Sequence, residues 1–213
     1  MKNLLLTIFA SSLLVTSCGP AIYKSQEFDR ALARHKVVAI LPAAVTMQLR
    51  PNEAKKMTTD QVTDLEQKTA FDIQDKMYSW FLRRSEKYNY TVTFQDISRT
   101  NALLKQSNLN YGDIVSVDRA QLAKILGVDA VIQNRTQMDK PMSTGAAVAL
   151  GAVFGVWGNT NHVTTTISIH DGQSGNLLWK YDYEASGSVG SSTDGLINAL
   201  MRNASKKFPY RAS

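Results

Sequence analysis

The sequence predicts an α/β protein, a single three-layer-like sandwich with a mixed sheet of about five strands and four helices. Three observations carry that expectation. "VVAIL" (37–41) is an unbroken, partly β-branched apolar run, the pattern of a strand buried on both faces. The stretch that begins at Thr58 repeats apolar residues at helical spacing for several turns. "HVTTTISIHD" (162–171) alternates Val163, Thr165, Ile167 and Ile169 against Thr164, Thr166, Ser168 and His170, a strand with one wet face.

In chain order, residues 18–35 read as a tether with helical character toward its end, followed by the 37–41 strand, which Pro42 ends. A polar loop containing Pro51 comes next. Thr58 with Gln61 three residues on makes a capping-box start for the long helix. Val62, Leu65, Ala70, Ile73, Met77, Trp80 and Phe81 share one face, while Phe71, Tyr78 and Leu82 form a second stripe, to be covered by a neighbouring loop or by another subunit. "YTVTFQD" (90–96) reads as a second strand, with a short helix around 100–106 after it. "SVDRAQLAKILG" reads as a helix capped at Ser116 and stopped at Gly127. "VDAVIQNRTQM" is a strand that ends before Pro141. "DGQSGN" turns the 162–171 strand into its hairpin partner "LLWKYDYEA". Ser191 and Asp194 give a second capping-box start, for a helix that packs Leu196, Ile197, Leu200, Met201, Ala204 and Phe208 and stops at Pro209. Helix crossovers in the first half and antiparallel neighbours in the second make the sheet mixed.

The amino terminus speaks to location. Lys2 begins "MKNLLLTIFASSLLVTSC", an apolar stretch too short for a stable membrane span that runs into small residues and a cysteine. "LVTSC" resembles the lipobox of bacterial lipoproteins, with Val15 in the usual leucine position as a departure. The resemblance implies a signal peptide over 1–17 and acylation of Cys18, which tethers the chain to a lipid bilayer without spanning it. By the same resemblance, Gly19 with no acidic cluster after it implies sorting to the outer membrane, facing the periplasm. Cys18 is the one cysteine in the chain, so no intramolecular disulfide can staple the fold.

Cleavage after residue 17 would leave 196 of the 213 residues, enough for one domain at 36–210. It would also remove one lysine and no acid, taking the net charge from +6 to +5. That modest, diffuse excess suits an anionic surface and excludes a nucleic-acid footprint.

"LAKILGVDAVIQ" and "IHDGQSGNLLWKYD" resemble recurring segments of bacterial envelope lipoproteins related to CsgG and to the amino-terminal domain of TolB. Leu126, Gly127, Asp129, Ala130, Val131 and Ile132 match the first, and Asp171, Gly175, Leu178 and Trp179 the second. "VVAILP" fits the family's first strand, and Asn134 stands where many relatives have glycine. The resemblance covers roughly residues 36–208. It implies a non-catalytic module, either a subunit or accessory of an envelope export or assembly machine, or an activator of a peptidoglycan synthase as LpoB is. It also implies a homo-oligomer or an envelope protein as partner.

One stretch stands apart. "STGAAVALGAVFGVWGNT" (143–160) is an apolar insertion whose uncharged core spans 145–158. A spanning helix needs ~20 apolar residues and a membrane hairpin two strands of ~9–11, so the run is short for both. It also lacks strand alternation, and no second hairpin candidate accompanies it, which weighs against a pore. Ala147, Gly151 and Gly155 are spaced by four, the small-residue pattern of close helix packing, with Phe154 and Trp157 beside them. The run therefore packs on a second copy, rests in a membrane leaflet, or folds back over its own sheet.

Catalytic groups are sparse, and the sequence implies no cofactor and no metal. His35 lies in the tether, and His162 and His170 fall on one strand face roughly 26 Å apart at ~3.3 Å per residue, too far to share a metal. No phosphate loop, zinc motif or serine elbow is present. The serines of "SGSVGSSTDG" cap a helix or bind an anion. A hydrolase with an unrecognised site would need a fold-made carboxylate pair, and no motif supports one.

Overall fold

The computed structural model describes residues 21–49, 51–55, 57–139, 162–186 and 193–211. It is an α/β sandwich built on one mixed sheet, whose described strands are β1 (Ala21–Lys24), β2 (Val37–Ile40), β3 (Ala44–Gln48), β4 (Thr93–Phe94), β5 (Ala130–Asp139), β6 (His162–Asp171) and β7 (Leu177–Ser186). Their order across the sheet is β1-β7-β6-β5-β2-β4, with β3 also pairing β5. The helices are α1 (Phe28–Leu32), α2 (Pro51–Ala54), α3 (Thr59–Ser85), α4 (Ile97–Gln106), α5 (Tyr111–Ser116), α6 (Arg119–Leu126) and α7 (Thr193–Lys207). The sheet is thus larger than the five strands expected, and the helices outnumber the four expected.

The two extra strands have identifiable causes. Pro42 does end β2, because it has no N–H to donate to the ladder. The chain then rejoins the same neighbour: β2 pairs in parallel with 130–132 of β5, and β3 pairs in parallel with 135–139. β1 lies in the segment expected as a tether and pairs antiparallel with β7, Ala21 opposite Asp182 and Lys24 opposite Trp179. Conversely, the strand expected over 90–96 shrinks to Thr93–Phe94, since Asp96 leaves the ladder to accept from the N–H groups of Ser98 and Arg99 at 2.8 and 3.2 Å and starts α4.

On one face of the sheet, α3 and α7 cover the main core. Ala70, Ile73, Met77 and Phe81 of α3 meet Ile40, Ile132, Ile167 and Ile169, and Ile197, Leu200, Met201 and Ala204 of α7 complete the layer. The capping box at the start of α3 is formed, with Thr58 N donating to Gln61 Oε1 at 2.9 Å and Gln61 N to Thr58 Oγ1 at 3.3 Å. Val62, Leu65 and Trp80 of the expected face are only half-buried, and the Trp80 indole N–H donates to Asn198. Of the second stripe, Phe71 lines a cleft against α4 and α5, Tyr78 packs on the core, and Leu82 is exposed.

On the other face, α4, α5 and α6 bury Ala39, Leu41 and Val131 with Leu104, Ile114, Leu122 and Leu126. The helix expected to be capped at Ser116 is α6, and its cap is Asp118. Asp118 Oδ1 accepts from Ala120 N and Gln121 N, while Ser116 closes α5 by donating to Asp113 O. Gly127 ends α6 at φ 65°, as expected. This second layer shields Ser168 at the far end of β6 but leaves Thr164 and Glu184 open, so the wet face of the hairpin is real over half its length.

Asn134 sits in regular strand and is buried in a hydroxyl network, its Nδ2 donating to Thr165 Oγ1 and its Oδ1 accepting from Thr136. Among the described residues, no helix is long and apolar enough to cross a membrane.

Candidate functional site

Two features invite a functional reading: a buried polar cluster at one end of the sheet and an open strand at its edge. The cluster gathers His35, Asp171 and Tyr210. His35 Nε2 donates to Asp171 Oδ1 at 2.9 Å, and its Nδ1 lies 2.6 Å from the Tyr210 hydroxyl. Arg34 reaches the same carboxylate oxygen at 3.2 Å, and the other oxygen accepts from Gln173 N, Ser174 N and Ser174 Oγ. Burial pushes the Asp171 carboxyl up, but the bonds from His35 and Ser174 outweigh it and hold it at about 2. Burial drives the Tyr210 phenol well above its ordinary range, reinforced by the charges of Asp171 and Asp129.

A histidine between a carboxylate and a phenol has the parts of a proton relay, yet this one is sequestered. His35 is 2% exposed and Tyr210 fully buried. The adjoining pocket of about 270 Å³ is lined by Arg34, Lys124, Gly127, Asp129 and Gly172. Asp129 accepts from Lys36 N and Val37 N through one oxygen, and so fixes the start of β2. Gly172 donates its N–H to Asp129 O at 2.8 Å, and a Cβ there would meet that oxygen at 2.6 Å, so only glycine allows the approach. The lining holds no thiol or serine nucleophile, and among the described residues no group of three or more His, Cys, Asp or Glu could hold a metal. The cluster is a clasp. It ties the segment after α1 to the β6–β7 turn and to the carboxyl-terminal residues after α7.

His35, placed in the tether from sequence, is thus a core residue of the fold. His162 and His170 stay apart as expected. His162 faces Glu184 and Thr164, and His170 bonds Gly175 O and Ser168 Oγ. Burial lowers the His170 imidazole below its ordinary value, more than its bond to Gly175 O raises it.

The open edge is β1. Its four residues are all exposed, and among the described residues β7 is its one ladder partner. Ile22 and Tyr23 are 49% and 51% exposed, and Leu82 is the third large apolar side chain left open among the described residues. The residues expected to carry lipidation, Cys18, and interaction, Ala147, Gly151, Phe154, Gly155 and Trp157, lie outside the described residues. The structure does fix the ends of the segment that holds the latter: Asp139 closes β5 directly opposite His162, which opens β6, and His162 in turn faces Ser186 of β7.

No protein-family model matches the sequence, and no curated protein matches it. Among solved structures, the chain is similar to lipoprotein GNA1162 of Neisseria meningitidis, at 16% identity over 81% of this chain and 96% of that one, with a TM-score of 0.45. It is similar at 13% identity to PelC of Paraburkholderia phytofirmans, solved as a dodecamer, over 91% of this chain and 99% of that one, with a TM-score of 0.47. It is similar at 11% identity to the carboxyl-terminal domain of LpoB from Escherichia coli, over 75% and 96% of the two chains, with a TM-score of 0.36. The likeness is remote. What the chain does is therefore read from its own residues.

Proposed function

We propose that the protein is a non-catalytic lipoprotein of the bacterial outer membrane, held on the periplasmic side by acylated Cys18. It works by binding, as a subunit or accessory of an export or assembly machine, and copies meet one another through residues 145–158 at the membrane surface. In this reading Ala147, Gly151 and Gly155 let two copies approach closely, and Phe154 and Trp157 supply the apolar contact.

The observation that carries the reading is the register of the sheet. β1 runs antiparallel to β7, so the chain toward Cys18 leaves Ala21 in the direction of Ser186. Ser186, His162 and Asp139 are level with one another, and residues 140–161 join the last two. Ala21 is level with Asp182, so roughly 13 Å of strand separates it from that end at ~3.3 Å per residue. Three residues reach ~10 Å of that distance. If residues 18–20 continue the direction of β1, an anchor at Cys18 and the segment between Asp139 and His162 would leave the described fold toward one end of the sheet, which suits a protein that assembles on a bilayer. Acyl chains also confine copies to a surface, where weak contacts between them count for more.

The test is the mass of the full-length acylated protein in mild detergent, measured by light scattering with detergent subtracted. A variant with 145–158 replaced by a short Gly-Ser linker is run alongside. A defined oligomer that falls to monomer in the variant supports the reading. Monomers in both would remove self-association and favour a regulator that binds another envelope protein.

A further inference from the structure

We infer that the β1 edge of the sheet is a membrane-contact surface, with Ile22 and Tyr23 at the headgroup level of the bilayer that anchors the chain. This rests on the acylation of Cys18 proposed above. Ala21 follows Cys18 by three residues, and three residues span at most ~11 Å. The acyl chains would hold the Cys18 end at the bilayer surface, which keeps the start of β1 within ~11 Å of it.

The chemistry of the edge fits that position. Of the three large apolar side chains exposed among the described residues, two are neighbours on β1. They point to opposite faces of the sheet, Ile22 opposite Tyr181 and Tyr23 opposite Lys180. A flat surface laid along the edge touches both, whereas a partner packed on either face would touch one. Tyrosine has an apolar ring and a polar tip, the combination that suits the boundary between hydrocarbon and water. The nearby charges nearly balance: Lys24 pairs with Asp29 at 2.7 Å and Lys180 with Asp182 at 2.8 Å, beside Glu27. The contact therefore needs no excess of anionic lipid.

A second copy adding a strand to β1 is the competing occupant. β1 is four residues long and carries Lys24 in the ladder, and short edges with lysine oppose that pairing.

The sole native cysteine is consumed by the anchor, so an introduced cysteine labels at one place. The mature acylated protein is prepared with Ala21→Cys on the edge and, separately, with Leu82→Cys on α3. Each carries an environment-sensitive fluorophore and is reconstituted into phosphatidylethanolamine–phosphatidylglycerol vesicles. The expected result is that lipids with a shallow nitroxide quench the Ala21→Cys label several-fold more than the Leu82→Cys label. Adding Ile22→Ser and Tyr23→Ser should shrink that ratio toward one.

Equal, weak lipid quenching at both positions on floated vesicles overturns the inference. So does an Ala21→Cys label shielded from aqueous iodide but untouched by the lipid nitroxide, which would mean that a second copy covers β1. A mature chain whose mass shows no acyl groups and which does not float with vesicles overturns the anchor, and this contact with it. The mass separates that failure from the other two.

Discussion

The two ends of the main strand path, β1 and β4, are finished in opposite ways. At the β4 edge the strand is two residues long, and the carboxyl terminus closes over it. Thr91 N donates to Tyr210 O, and Tyr90 bridges to Arg211. Behind it Phe208 packs on Phe81, Tyr90, Phe94 and Tyr210 at ring separations of 4.5 to 5.6 Å, and the Arg211 guanidinium sits 4.0 Å over the Tyr88 ring. At the β1 edge nothing comparable is present among the described residues, and Ile22 and Tyr23 face outward. An exposed strand edge is a liability that folds usually blunt. Among the described residues the edge far from Ala21's end of the chain is covered and the β1 edge is not, as expected if Cys18 is acylated and the bilayer supplies the cover.

The largest expected effect comes from breaking the closed edge. Phe208→Ala removes a side chain that is 1% exposed at the centre of the aromatic group. The expected loss is ~3–5 kcal/mol, read from urea unfolding of the chain without its acyl group. A loss below ~1 kcal/mol would mean that the carboxyl-terminal closure adds little to the fold.

The clasp links the two ends of the chain, since His35 follows the open edge and Tyr210 belongs to the closed one. Asp171→Asn keeps the shape but removes the charge that His35 and Arg34 share, and should destabilise by about 2–3 kcal/mol. The pH dependence has a definite sign. The folded carboxyl sits at about 2, below the usual 3.8, so folding favours its charged form. Its contribution is complete above the unfolded value and disappears as pH falls from about 4 through about 2, on the order of 2 kcal/mol in all. Stability measured across that window should fall less steeply in Asp171→Asn than in the parent. Identical slopes would show that the clasp carboxylate is not the group titrating there.

The same contrast explains what was legible in the sequence. α3, α7 and the β5–β7 strands carry their periodicity in long runs, and the capping box of α3 and the β6–β7 turn mark two of their ends, while Ser191, expected to cap α7, lies outside the described residues. β1 carries no such mark: four exposed residues after Gly19-Pro20 become a strand because β7 offers an unpaired ladder beside them. β3 hid behind Pro42, because a proline looks the same whether it ends a strand or interrupts one. Ser116 and Asp118 are both good caps two positions apart, and the choice was made by α5, too short to show a period. The clasp had no local signal at all, since its members lie 136 and 175 positions from His35. Only the closing of the carboxyl terminus over β4 brings Tyr210 to His35.

The smallest expected effect on stability belongs to the open edge, and it sharpens the comparison most. Ile22→Ser with Tyr23→Ser changes side chains that are half exposed and lie outside the buried core. In the chain without its acyl group, substitutions of this kind shift stability by ~0.5 kcal/mol or less. A loss of several kcal/mol in urea unfolding would mean that β1 is covered within the fold itself, and the two edges would then not differ. If stability is unchanged, the exposed pair contributes nothing that folding needs. Two adjacent apolar side chains, half exposed among the described residues and close to the proposed anchor, are then free to serve a surface outside the fold. The acylated protein on vesicles is where their loss should show.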